Sequence, residues 1–157
     1  MYRKNLIMSA ASYESLEGKG ELLWYLLDQI VTSVGALTKE NFKAHLQIET
    51  VEGKLMTTLA LRKKANKFKE QILNNNLQML SFTTFDPTRL VMMGSIQELA
   101  NIYIYTDLNG ETSFLHLSVR EWYATAIGIG HFQNLLVNCL FEICKEIDVV
   151  AGFITHD

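Results

Sequence analysis

The chain has 157 residues, 48% of them hydrophobic and 20% charged, with a net charge of −3 and one proline. That is the size and composition of a single globular domain, residues 1–157, able to bury about two thirds of its unfolded surface. It leaves no room for a low-complexity tract, a proline-rich linker or a second domain. The apolar run Leu6 to Met8 is too short for the core of a secretory signal, and no stretch approaches the ~18 apolar residues of a membrane-spanning helix. A soluble, cytoplasmic protein with no membrane contact is therefore expected.

Residues 4 to 11 read as a first strand. After a polar loop, Leu22, Leu23, Leu26, Leu27, Ile30 and Val34 fall at helical spacing and predict a helix over 20–34, with Gly35 placed to cap it. From Phe42 to Glu49, apolar Phe42, Ala44, Leu46 and Ile48 alternate with polar Lys43, His45, Gln47 and Glu49, as in a strand with one face on the core. Glu52-Gly53 offers a reversal, and Leu55, Thr57, Leu59 and Leu61 are expected to line the partner strand. Arg62 to Asn74 returns to helical spacing, with Ala65, Phe68 and Ile72 as a narrow apolar stripe.

Residues 77 to 85 read as a strand stopped by Asp86-Pro87, with a further short strand from Arg89 to Gly94; Ser95 and Glu98 have the spacing of a capping box and predict a helical turn there. Ile102 to Thr106 and Thr112 to Val119 flank the turn Asp107-Leu108-Asn109-Gly110, a second hairpin. Trp122 and Tyr123 open either a strand or a helix capped by Ser118 with Glu121, before the glycines at 128 and 130 break the pattern.

The helix expected at 131–147 is apolar almost all round. Phe132, Leu135, Leu136, Cys139, Leu140, Ile143 and Ile147 form its main stripe, and Val137, Phe141 and Cys144 a second flank. Such a pattern predicts burial on more than one side, and the run Val149 to Thr155 that follows predicts a strand covered on both faces. The whole is an α+β fold: an antiparallel or mixed sheet with packed helices, a ferredoxin-like βαββαβ succession, then a hairpin, a buried helix and a final strand.

Cys139 and Cys144 lie five apart on one predicted helix, about 140° from each other, so they do not pair and are expected to be reduced core thiols. No CxxC, HExxH, nucleophile elbow or P-loop is present, and the four histidines are scattered, so neither catalytic residue, metal site nor cofactor is expected. Gly128-Ile129-Gly130 lacks the third glycine of a dinucleotide turn, and Asp107 to Glu111 is too short for an EF-hand loop and reads as a turn.

Charge is unevenly spread. Arg62, Lys63, Lys64, Lys67 and Lys69 face one acid, Glu70, on the short second helix, whereas residues 76–157 hold three cations against nine acids. The basic helix is the best nucleic-acid candidate, but the acidic balance of the chain argues against that partner. The acidic half instead points to a basic protein partner, with Asp107, Glu111, Glu121, Glu142 and Glu146 as candidate contacts. The alternative is a small-ligand site between the sheet and the C-terminal helix, bordered by Trp122, Gly128, Gly130 and His131. A homodimer is a further expectation, through Leu90-Val91-Met92-Met93 as an edge strand.

A compact α+β chain without catalytic motif, with an acidic face and a terminal helix running into Val149-Val150-Ala151-Gly152-Phe153-Ile154, resembles the small immunity proteins of bacterial polymorphic-toxin systems. The resemblance implies a cytosolic protein that neutralises a cognate toxin by covering its active site.

Overall fold

A computed structural model describes residues 5–35, 43–59, 61–90, 96–107 and 111–156. In chain order these form β1 (Asn5–Ser12), α1 (Gly20–Gly35), β2 (Lys43–Thr50), β3 (Leu55–Thr58), α2 (Leu61–Asn74), β4 (Leu77–Leu90), β5 (Ile96–Thr106), β6 (Ser113–Arg120), α3 (Glu121–Ile127), α4 (Ile129–Glu146) and β7 (Val149–His156). The strands make one sheet in the order β3-β2-β4-β5-β6-β1-β7, and every neighbouring pair is antiparallel. The fold is therefore α+β with a seven-stranded antiparallel sheet. The first six elements follow the βαββαβ succession, but β5 and β6 lie between β1 and β4 in a sheet with more strands than that unit has.

The core follows from alternation. Leu6, Met8 and Ala10 on β1, Leu46 and Ile48 on β2, Leu80 and Phe82 on β4, Ile102 and Ile104 on β5, and Leu115, Leu117 and Val119 on β6 are all buried and share one face. The helices cover that face: α2 lies against β2, α1 against β5, and α4 against β1 and β7. Leu22, Leu23, Leu26, Leu27 and Ile30 of α1 and Phe68 and Ile72 of α2 complete the layer as their expected stripes require, while Ala65 is half-buried and the side chain of Val34 lies outside the described residues. Lys69 of α2 lies 5.6 Å from the Trp24 ring centroid on α1, a cation held over an aromatic face.

Several sequence expectations give way to tertiary context. In the β2–β3 hairpin the Thr50–Lys54 turn forms, with Gly53 at φ 90°, but Leu55, Thr57 and Leu59 are exposed while Met56 and Thr58 face inward. The hairpin register sets the phase: Ile48 of the core face pairs with Met56, and Glu49 of the outer face with Leu55. Leu61 starts α2 and is buried there. Asp86-Pro87 does not stop β4. The β4–β5 register shifts between Asp86 and Leu90, so the proline falls in an irregularity where a ladder donor is not needed. Residues from Ile96 onward are strand, not a helical turn. Leu90 ends an interior strand, and Val91 to Met93 lie outside the described residues. Ser118 belongs to β6, and Arg120 stands at the start of α3 with no side-chain cap.

The C-terminal elements depart furthest from expectation. Helix α4 buries Phe132, Leu135, Leu136, Cys139 and Ile143 on one side only; Phe141 is 63% and Val137 39% exposed, and Cys144 is exposed as well. Strand β7 is not covered on both faces: among the described residues α4 lies on one side of it and nothing on the other, its one sheet neighbour is β1, and Val150 to Phe153 are exposed. A long apolar pattern thus reported an edge strand and a one-sided helix, because nothing among the described residues lies beyond them.

Candidate functional site: the helix-free face of the sheet

With the four helices of the described residues against one face, alternate residues of every strand project from the other. Cross-strand pairing orders them into rows. One row runs Gln47, Ser81, Tyr103, His116, Ser9 and Phe153, and its neighbour runs Glu49, Met79, Tyr105, Phe114, Ala11 and Ala151. A third row holds His45, Thr83, Asn101, Ser118, Ile7 and Thr155. The aromatic centre of this surface is exposed: Tyr103 43%, Phe114 43% and Phe153 55%. Rings stack along each strand, Tyr103 with Tyr105 at 6.4 Å and Phe114 with His116 at 6.2 Å between centroids.

His116 sits in the middle row, half-buried. Its Nδ1 lies 2.9 Å from Ser9 Oγ, and burial lowers its pKa from the ordinary histidine value, which favours the neutral imidazole. Ser9 is itself buried beside the ring, which makes its hydroxyl an anchor for the imidazole rather than an accessible nucleophile. A depression of about 510 Å³ opens here, lined by Ser81, Thr83, Asn101, Ile102, Tyr103, Phe114 and His116. A second, of about 540 Å³, lies toward the β1–β7 side, where Tyr13, Tyr105, Phe114 and Val150 are among its walls. The surface offers hydroxyls, amides, a neutral imidazole and aromatic rings, with few charges: the chemistry of an apolar contact surface with hydrogen-bonding groups set into it.

The acidic residues singled out in the sequence do not form one patch. Asp107 ties its own loop, accepting from the Glu111 amide at 3.1 Å and from the Thr112 hydroxyl at 3.0 Å. Glu146 reaches Lys19 at 3.8 Å, and Glu142 pairs with Lys145 at 2.9 Å on α4. Glu121 begins α3 after Arg120, which pairs with Asn5 at the opposite end of β1 from Ser12 and Ser113, and it meets His156 Nε2 at 3.1 Å. Glu14, which accepts from the Asp148 amide at 2.7 Å, adds to the acidic end formed around Asp107 and Glu111.

Trp122, Gly128, Gly130 and His131 do cluster along the α3–α4 junction, but they line neither depression. Gly128, at φ 134°, joins the two helices. Trp122 packs on the core and edge-on to Tyr123, whose buried phenol is pushed up to about 12. His131 Nε2 lies 3.2 Å from Ser33 Oγ of α1. The space between sheet and α4 is filled by that helix's own buried side chains.

Among the described residues no group of three or more His, Cys, Asp or Glu is placed to hold a metal ion, and no helix is long and apolar enough to cross a membrane. No protein family, curated protein or solved structure matches this chain.

The aromatic face was open to view in the sequence only as IYIYT and FLHLS, apolar or aromatic at nearly every position. Read as the two strands of a hairpin, such runs do not show by hydrophobicity alone which side is covered. The signal that distinguishes them is which alternate set carries rings with polar handles: Tyr103, Tyr105 and His116 on one side, Ile102, Ile104, Leu115 and Leu117 on the other.

Proposed function

We propose that this protein is a non-enzymatic protein-binding module that engages its partner through the helix-free face of its sheet. The observation that carries the reading is the exposure of Tyr103, Tyr105 and Phe114 side by side on the adjacent strands β5 and β6, with Phe153 on β7 beyond the small residues Ser9 and Ala11 of β1. Tyrosine and phenylalanine are enriched in interface cores, and contiguous apolar surface of this kind marks interaction sites. Neutralisation of a cognate toxin is the form of this function that the immunity-protein resemblance implies. On this reading a basic partner is steered by the acidic end around Glu14, Asp107 and Glu111, and the rings supply the contact.

The test is co-expression and co-purification with each protein encoded beside it in the native genome, for wild type and for Tyr103→Ala/Phe114→Ala. A complex is expected with one of these, weakened about 30-fold or more in the double variant while circular dichroism stays unchanged. A folded protein that binds none of them, or a double variant that binds as tightly as wild type, refutes the reading.

A second reading rests on the depression at His116. Its neutral imidazole, held by Ser9 and flanked by Tyr103 and Phe114, suits a small uncharged or planar ligand. A thermal-shift screen of nucleosides and aromatic metabolites tests it, the expected result being a hit that disappears in His116→Ala. A screen without hits, or hits that persist in that variant, removes it.

A further inference from the structure

The free edge of β7 and the outer flank of α4 form one surface on the same side of the molecule. Leu140 fixes the geometry. Its Cδ1 methyl stands 3.2 Å from where a Cβ on Gly152 would lie, so α4 rests directly on the inner side of β7. The opposite flank of α4 faces α1, where Glu146 meets Lys19 and the charges of Glu142 and Lys145 act on Tyr25. Moving round the helix from Leu140 and away from α1, past Gln133, the next apolar positions are Cys144, Val137 and Phe141, of which Val137, Phe141 and Cys144 follow four and three apart along one exposed stripe. This second apolar flank therefore overhangs the sheet edge.

Strand β7 lacks most of the features that keep edges from pairing. It is eight residues long, no charged residue lies between Val149 and Thr155, and it contains no proline. Its irregularity against β1 falls between Ala11 and Ser12, leaving Ala151 to His156 in unbroken register. The other edge, β3, is protected by its length of four residues.

We infer that this surface is the contact between two copies of the chain, with β7 pairing antiparallel to β7 of the partner about a two-fold axis. Both layers point to that occupant. The backbone groups on the outer side of β7 are a template for a further strand, and an uncharged strand is compatible with its own antiparallel copy because no like charges are brought together. A two-fold that joins strand to strand also sets α4 beside α4, so Val137, Phe141 and Cys144 of each copy cover those of the other. Asn134, Asn138 and Lys145 continue round the helix as the polar rim.

Size sets the strength. Eight residues of strand span about 26 Å, and a strand plus a helix layer is roughly 20 Å deep, which gives about 500 Å² per copy. That total of about 1,000 Å² lies at the lower limit of specific interfaces. The dimer is therefore weak and concentration-dependent, and it joins two seven-stranded sheets into a continuous one whose helix-free faces are contiguous.

The experiment is sedimentation equilibrium of the protein alone over a concentration series, with Phe141→Lys and Thr155→Lys beside wild type. Both positions are exposed, so both variants keep the fold. The wild-type mass is expected to climb toward the dimer, and each lysine to raise the dissociation constant about 30-fold or more. Hydrogen exchange gives an independent readout: β7 amides gain protection as concentration rises, and β3 amides do not. A wild type that stays monomeric to about 0.5 mM, or a dimer indifferent to both substitutions, overturns the inference. No partner protein enters this test, so its outcome is separate from that of the proposed function.

Discussion

Leu136→Ala and Phe141→Ala, five positions apart on α4, should differ by about 3 kcal/mol in stability although both truncate a large apolar side chain. Leu136 is fully buried between α4 and the sheet. Removing three carbons at about 0.8 kcal/mol each forfeits about 2.4 kcal/mol, and the cavity left among packed neighbours adds about 1 kcal/mol. Phe141 is 63% exposed. Its modest burial is largely offset by the higher helix propensity of alanine, leaving about 0.5 kcal/mol. In a chain of this length these losses lower the melting temperature by about 7–14 °C and about 1–2 °C respectively. Urea denaturation at low protein concentration, where the α4 flank is not engaged by a second copy, measures both. Glu142→Ala, which breaks only the exposed pair with Lys145, serves as a nearly silent control. Equal large losses at Leu136 and Phe141 would show that α4 is enclosed on both flanks; a small loss at Leu136 would show that its inner face is not the core.

The thiols provide a second check: Cys144 should react with a thiol reagent in the native protein and Cys139 only on unfolding, because burial, and then Glu142, push the Cys139 thiol up to about 12. Gly128→Ala should cost about 1–3 kcal/mol, since its φ of 134° is strained for any side chain, whereas Gly130→Ala, in open space in the first turn of α4, should be neutral or stabilising by up to about 1 kcal/mol. His116 should titrate below the ordinary 6.5 by NMR. Its folded pKa is depressed, so its contribution to stability is complete above 6.5 and is lost as pH falls from there through the folded value; His116→Gln should remove that part of the pH dependence, and an unshifted titration would contradict the burial of the ring.

Local periodicity was enough to establish most of the elements. Alternation in Lys43–Glu49, helical spacing in Leu22–Ile30 and Ala65–Ile72, and turn residues at Glu52-Gly53 each carry their own geometry, because side-chain period and backbone conformation are two views of one local fact. The one-sided pattern of α1 and α2 also identified the faces they bury. What the pattern does not hold is the identity of the neighbour. Phe141 and Phe153 are as apolar as Phe82 and Phe132, yet the first two are exposed and the last two buried, because Phe153 projects from the helix-free side of β7 and Phe141 from the flank of α4 turned away from the sheet. Met56 faces the core and Leu55 the solvent because pairing with Ile48 and Glu49 sets the register of β3. The aromatic face had the same origin: Tyr103, Tyr105 and Phe114 became a surface when every helix crossed to the other side of the sheet. Hydrophobicity is a property of the residue, whereas burial belongs to a pair of surfaces, and only the tertiary structure decides which surfaces meet.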